Sequence, residues 1–399
     1  MANNAALSVY LHVPFCSLKC SYCDFNSYAK LDELVPEFVE ALCAELALWA
    51  PVAKARPVET VFFGGGTPSL LPLPDIDRIM SALRDNYDLA DGAEITLEAN
   101  PGTADRDYFG GLLAAGVNRL SIGFQSLHDE ELAALDRIHS ADEAVQCYRW
   151  AREAGFRRVN LDLIYGLPDQ PIASWQETVE RAIELAPEHI SAYALTVEDG
   201  TKLAYDVEHG TVPPPDGDLQ AEMYEWAGRR LLEAGYQQYE ISNWSRPGEE
   251  CRHNLVYWRN GEWLALGPGA HSHWGGHRFA DVYSPRQYIQ LVAEAAKEPP
   301  VPGAEPDAVL AAMRQVTFVD RQPPAMQMAD TAILALRLNA GLDLGAFEER
   351  FGRRFEDVYP QVLADTLEMG LLERENGRLR LTDRGRYVAN EVFIRLLPD

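Results

Sequence analysis

The chain has no surplus of basic residues: its 399 residues include 35 Lys and Arg against 61 Asp and Glu, a net charge of −26. That balance cannot build the broad basic surface that neutralises phosphates, so nucleic acid is not an expected partner. Long hydrophobic runs are missing as well. None reaches the ~18 consecutive apolar residues of a membrane span. No transmembrane segment is expected, and only peripheral membrane contact stays open. Met1 to Phe15 contains neither Lys nor Arg, so the charged start of a secretory signal is absent and a cytoplasmic location is expected. Cysteine is scarce, with Cys16, Cys20, Cys23, Cys43, Cys147 and Cys251 the full set. In a reducing compartment, clustered cysteines point to metal or catalysis rather than to disulfides. A disulfide-stapled miniprotein, a collagen and a disordered acidic tail are all excluded. What remains is ordinary globular composition, 47% hydrophobic and 24% charged. At roughly 100–200 residues per domain, two or three units are expected.

The first two hundred residues alternate between two periods. β-rich runs at Val9–Val13, Thr60–Phe63, Ile95–Glu98, Arg119–Gly123, Val159–Tyr165 and His189–Leu195 read as strands. Pro36–Trp49, Ile76–Asn86, Asp105–Ala115, Asp142–Ala154 and Ser174–Leu185 carry helical spacing. Gly116 and Gly155 stand where helices end in a left-handed cap. Six βα units imply a parallel sheet with right-handed crossovers. Most strands are mainly apolar and finish on small or polar groups such as His12, Gly64, Glu98, Gln125 and Asp162, the end that carries chemistry in α/β barrels. Six units are too few for an eight-stranded barrel, so the expected fold is an α/β partial (β/α)6 barrel.

Beyond residue 195 the pattern changes. Thr211–Asp218 reads as a loop, Leu219–Ala234 as a helix and Tyr239–Ser242 as a strand. Residues 251–279 concentrate aromatics, glycines and histidines, and Glu298–Pro306 reads as a linker. Ala325–Leu338, Leu344–Phe351, Pro360–Met369 and Arg384–Leu397 are helical. Asn376-Gly377 between two short runs marks a hairpin. The expected division is a barrel core over 1–200, a barrel extension over 201–297 and a small helical, winged-helix-like domain over 307–399.

Cys16-x3-Cys20-x2-Cys23 is the sharpest local signal. Three thiolates within eight residues can ligate three irons of a [4Fe–4S] cube, and no fourth cysteine stands nearby, which leaves one iron open. A zinc site or three buried thiols are the alternatives, and zinc would want a fourth Cys or His close by. Cys43 and Cys147 lie on helical stretches and read as core residues.

This spacing, with Tyr22 before the last cysteine, resembles the radical S-adenosylmethionine (SAM) superfamily. The resemblance implies a [4Fe–4S] cluster on Cys16, Cys20 and Cys23 whose open iron chelates SAM, with one-electron reduction cleaving SAM to a radical. Gly64-Gly65-Gly66-Thr67 after the second strand fits the same family, glycines there allowing backbone amides close to the SAM methionyl group. The match narrows to the coproporphyrinogen-dehydrogenase-like branch. Tyr10, six residues before Cys16, and Gly65, Gly66, Thr67, Glu98, Gln125, Arg137, Asp162 and Ala194 stand where that branch places its SAM contacts. A carboxylate suits ribose hydroxyls, an arginine suits a carboxylate, and a glutamine both donates and accepts.

Within the branch, the oxygen-independent coproporphyrinogen III dehydrogenases carry a fourth cysteine two positions after the third, where this chain has Phe25. They also have a longer N-terminal extension. Both departures resemble the HemW-type haem chaperones. His253-Asn254-Leu255-Val256-Tyr257-Trp258 is similar to the HNxxYW motif of that haem-binding group and implies haem contact at His253, with two aromatics to flank a flat macrocycle. The segment is expected to fold across the open mouth where cluster and SAM sit. Cys251 reads as a structural thiol, and His271, His273 and His277 are unassigned. The resemblance implies haem, an unidentified haem-acceptor protein and a monomer or dimer. It leaves enzymatic activity open, with coproporphyrinogen dehydrogenation or another radical SAM reaction on a tetrapyrrole as the alternative.

Overall fold

The structure, a computed structural model, describes residues 6–53 and 56–398, so the first five residues of the Met1–Phe15 stretch lie outside the described residues. Strands β1 (Leu7–Val13), β2 (Pro57–Gly65), β3 (Asp88–Ala99), β4 (Arg119–Gln125), β5 (Arg158–Tyr165) and β6 (His189–Ala194) lie side by side in chain order, all parallel. Helices α1 (Val35–Ala53), α2 (Leu73–Asn86), α3 (Arg106–Ala115), α4 (Ala141–Ala154) and α5 (Ile172–Leu185) connect them. All six strands and all five helices stand where the periodicity puts them. The caps agree too. The Asp105 carboxylate accepts from Tyr108 N at 2.8 Å, and Gly116 and Gly155 close α3 and α4 at φ 106° and 111°.

The sheet is larger than six strands. Strand β9 (Trp263–Leu266) adds a seventh parallel strand beside β1, followed outward by antiparallel β10 (His271–Trp274), β11 (His277–Asp281) and β12 (Val316–Arg321). At the other edge β7 (Gln237–Glu240) and β8 (Asn243–Ser245) pair antiparallel next to β6, so the stretch read as one strand at 239–242 is two. The result is one mixed twelve-stranded sheet. It curls. Tyr10, Phe62, Glu98, Arg119, Asp162 and Tyr193, one each from β1 to β6, line a single interior cavity of about 220 Å³, which a flat sheet could not arrange.

Inward-facing positions are polar along the strands rather than only at their ends. Thr60 Oγ1 donates to Ser8 Oγ at 2.8 Å, Ser121 Oγ to Asp162 Oδ2 at 2.8 Å and Asn160 Nδ2 to Ser121 Oγ at 2.7 Å. Pairing each group inside the barrel offsets the cost of removing it from water. Apolar residues face out under the helices, with Trp49, Phe109, Phe156 and Trp175 fully buried there.

After α6 (Gly217–Glu233) and α7 (Arg252–Trp258), helix α8 (Pro324–Leu336) opens a C-terminal unit with its own core of Leu336, Phe347, Phe355, Leu379 and Val392. Its hairpin turns at Asn376 (φ 51°) and Gly377 (φ 76°), the left-handed pair of a two-residue turn. The stretch read as one last helix is two, Asp383–Tyr387 and Ala389–Leu396, broken where Val388 leaves helical geometry at φ −123°. Val309, Leu310 and Met313 pack with the large sheet, and β12 completes it, so the residues just after the 298–306 linker belong with the barrel's core and not with the C-terminal one. No helix among the described residues is long and apolar enough to cross a membrane.

Candidate functional site

The cysteines lie on the loop after β1, and short-range bonds hold that loop in shape. Cys23 N donates to Cys20 O at 3.2 Å, and Tyr28 N to Pro14 O at 2.7 Å. The His12 Nε2–H donates to Asn26 O at 2.9 Å, so its Nδ1 accepts from the Tyr10 hydroxyl at 3.1 Å, and burial holds the ring neutral by lowering its pKa. Asn26 in turn donates to Pro268 O at 2.8 Å, tying the loop to the turn after β9.

Cys16, Cys20 and Cys23 face one cavity of about 450 Å³ at the C-terminal ends of the strands. No three His, Cys, Asp or Glu side chains among the described residues converge at one point as a single ion would require; the three thiols stand around a shared space instead. Thr67 Oγ1 lies 3.5 Å from Cys16 Sγ and Ser27 Oγ 3.8 Å from Cys23 Sγ. Arg137 Nη1 approaches Cys20 Sγ at 3.7 Å. Burial pushes the Cys16 and Cys23 thiols up, so loading iron at these sulfurs must release protons.

The same cavity gathers Tyr22, Gly65, Gly66, Thr67, Glu98, Gln125, Arg137, Asp162 and Ala194. Tyr10 is the exception. It lines the adjoining cavities, and its hydroxyl is spent on His12. Neither carboxylate is a solvated surface group. Burial, then the nearby Asp162, pushes Glu98 up to about 8, with the Gly65 N–H at 3.1 Å the one hydrogen bond it accepts among the described residues. Asp162 is raised by burial despite Ser121 and Asn160. Gln125 sits at φ 63°, a left-handed conformation uncommon for a side chain with a Cβ, at the end of β4.

The glycine run departs from its expected role. The amides of Gly65, Gly66 and Thr67 are all engaged inside the chain, with Glu98 Oε2, Val13 O and Phe15 O. Glycine is required here by packing: a Cβ on Gly65 would stand 2.5 Å from the His12 ring, and one on Gly66 2.6 Å from Phe15 O. Asn100, two residues after Glu98, is the residue that sequence reasoning missed. Its Oδ1 accepts from Arg137 Nη2 at 2.7 Å and its Nδ2 donates to Thr67 Oγ1 at 3.0 Å. Its closeness to Glu98 along the chain was the available signal. Arg137 is fixed further by Gly123 O at 3.0 Å, while its buried Nε has no partner among the described residues. An orphaned guanidinium N–H, a buried carboxyl with a single hydrogen bond and three thiols around one space fit a cluster bearing a ligand with both an amino-acid and a ribose end.

The histidine motif does not cross this mouth. Helix α7 (Arg252–Trp258) plugs the opposite, N-terminal end of the barrel. His253 Nδ1 donates to Thr60 Oγ1 at 2.8 Å, five residues before Gly65, or roughly 16 Å along the strand at ~3.3 Å per residue. Its Nε2 accepts from the Tyr257 hydroxyl at 2.8 Å. The ring is 1% exposed, and burial followed by Arg119 lowers it to about 3. Cys251 is a buried thiol pointing at Glu94 Oε1, 3.6 Å away. The expected fold-back fails for 251–258 because the helix satisfies buried polar groups at the barrel floor. It holds for the turn at 267–269, which reaches the cysteine loop through Asn26.

A larger cavity, about 800 Å³, opens beside the first between β1, β9, the cysteine loop and α8. Asp24, Phe25, Gly65 and Glu98 line both. Tyr257, Trp263, His271, Arg278 and Tyr283 line the larger one and not the cysteine cavity, while His273 and His277 are buried, bonded to Gly261 O and Asp307.

Comparison with known proteins agrees with this geometry. Residues 10–182 match the radical SAM superfamily and residues 322–388 the HemN C-terminal domain. The chain is 42% identical over 392 residues to the haem chaperone HemW of Mycobacterium tuberculosis, covering 98% of this chain and 94% of that protein. Against HemW of Bacillus subtilis the identity is 34%, with 97% and 98% covered. The solved structure of coproporphyrinogen III oxidase, HemN, from Escherichia coli superposes with a TM-score of 0.83 at 25% identity, covering 98% of this chain and 90% of that one.

Proposed function

The chain belongs to the HemW family of radical SAM proteins, and on that premise we propose that it is a cytoplasmic haem chaperone, binding haem and passing it to an acceptor protein. Membership of the superfamily implies a [4Fe–4S] cluster and SAM. In this reading Cys16, Cys20 and Cys23 hold three irons, and the cluster supplies one-electron chemistry and an open iron. Arg137, held by Asn100 and Gly123 O, orients a carboxylate. Glu98 and Asp162 receive ribose hydroxyls, and Tyr22, Gln125, Thr67 and the backbone at Gly65, Gly66 and Ala194 wall the ligand. The chain divides into a barrel core, its extension and a C-terminal unit, with the last boundary near Gln322.

The observation that carries the chaperone reading is Phe25. It stands where a dehydrogenase would carry a further cysteine, and its ring, 61% exposed, forms wall in both cavities. An apolar ring there offers a stacking face to a flat ligand and no thiol for chemistry. His253 supports the reading through Tyr257: by accepting the hydroxyl it aims that ring at the larger cavity, which makes it a positioning residue for haem.

The test gives anaerobically reconstituted protein haem and coproporphyrinogen separately. Haem uptake without protoporphyrinogen formation is expected. Turnover of coproporphyrinogen would overturn the reading in favour of the oxidase.

A further inference from the structure

We propose that haem occupies the 800 Å³ cavity between the cysteine loop and α8, with His271 as the protein ligand to its iron. This rests on the haem-chaperone reading and deepens it by assigning the site.

The histidines around the cavity decide the ligand. His12 lines it, but both ring nitrogens are committed, to Asn26 O and the Tyr10 hydroxyl. His253 is likewise bonded at both nitrogens and lies on the barrel floor. His271 is different. It is exposed at the start of β10, one ring nitrogen makes a long 3.3 Å contact to the Tyr283 hydroxyl, and the other has no partner among the described residues. Iron needs an imidazole nitrogen that can be reached without breaking the fold, and His271 offers one.

The walls offer aromatic faces to a flat macrocycle and one arginine to its carboxylates. Phe25 and Tyr283 are exposed rings on two neighbouring loops joined by the Asn26 side chain, 61% and 56% accessible, and Tyr257 and Trp263 stand edge to face with centroids 4.7 Å apart. Arg278 is the cation among the lining residues. In the β10–β11 hairpin it pairs with His273 while His271 pairs with Ala280, so His271 and Arg278 share one face a diagonal step apart, ~7–8 Å between Cα atoms. An iron ligand and a carboxylate partner thus project from one rigid hairpin into one space. Arg278 now bonds Asp330 of α8 at 2.9 Å, so a propionate arriving there competes with Asp330 and touches the C-terminal unit. The partition of Asp24, Phe25, Gly65 and Glu98 sets the macrocycle against the SAM cavity without requiring the same space.

The experiment titrates hemin into the anaerobically reconstituted protein, following the Soret band and the EPR signal of the ferric iron with the cluster contribution subtracted. Wild type, His271→Ala and His271→Gly are compared, the last with and without imidazole. Iron and sulfide content checks that each variant keeps its fold and cluster. His271→Ala is expected to lose the histidine-ligated spectrum and to weaken binding by about tenfold or more, since losing even an outer-shell partner costs ~10–100-fold. Imidazole is expected to restore the spectrum in His271→Gly. Haem uptake by His271→Ala with wild-type spectrum and affinity would overturn the ligand assignment and leave the chaperone reading standing. Failure of wild type to take up haem would overturn both.

Discussion

Cys16, Cys20 and Cys23 share their cavity with no other thiol: Cys43 and Cys147 sit on α1 and α4, and Cys251 points at Glu94. Cys20→Ala, Cys16→Ala and Cys23→Ala are therefore each expected to lose iron and acid-labile sulfide, while Cys43→Ala and Cys147→Ala keep both. A full cluster in the Cys20 variant would contradict the assignment. Glu98 gives a pH signature. Its folded pKa of about 8 lies above the ordinary carboxylate value of 4.5, so the folded state binds the extra proton. The stability this contributes is complete at low pH and is lost as pH rises through 8. Denaturation of the metal-free protein between about pH 4.5 and 8 should show that fall, and Glu98→Gln should flatten it. His253→Ala removes the acceptor that aims Tyr257. It is expected to weaken haem binding by a few-fold, the effect of one hydrogen bond worth ~0.5–1.5 kcal/mol, without changing the axial-ligand spectrum.

At the scale of elements, the site depends on how strand ends meet. Gly65 closes β2 at φ 109° with the His12 ring against it, and His12 pins the cysteine loop through Asn26. Gly65→Ala should force that ring away. A cost of about 1–3 kcal/mol in chemical denaturation is expected from overpacking and backbone strain together. Cluster content should fall as well, because the displaced ring is the loop's anchor. The βα alternation was legible because each strand buries one face under helices and each helix has a single apolar stripe. The seventh parallel strand, Trp263–Leu266, was not, because four buried residues among aromatics and glycines carry no period. The motif helix Arg252–Trp258 was recognised by its residues but misplaced, since a motif names side chains and not the end of the barrel that they close.

Across the whole molecule, two cores are joined at the larger cavity. Arg278 of the barrel sheet bonds Asp330 of α8 and Asn260 Oδ1, with both members of the ion pair about a quarter exposed. Arg278→Met should weaken this clamp by about 1–2 kcal/mol, less than a fully buried pair because water still reaches it. Hydrogen exchange should then rise in 324–398 while the barrel strands keep their protection.

The sequence alone determined the parallel α/β core, the cysteine loop, the membership of a cavity for Tyr22, Glu98, Gln125, Arg137 and Asp162, and the C-terminal hairpin. The core, the cysteine loop and the hairpin are local, following from a period, a spacing or a turn pair, whereas the cavity residues are what the family resemblance implies. Only the tertiary structure decided which groups remain free. It closed the glycine amides inside the chain, spent both nitrogens of His253 and of His12, drew Asn100 into the site and left His271 open beside Phe25. Whether a polar group is available depends on partners tens or hundreds of residues away, as with Thr60 and His253, and no pattern along the chain records that.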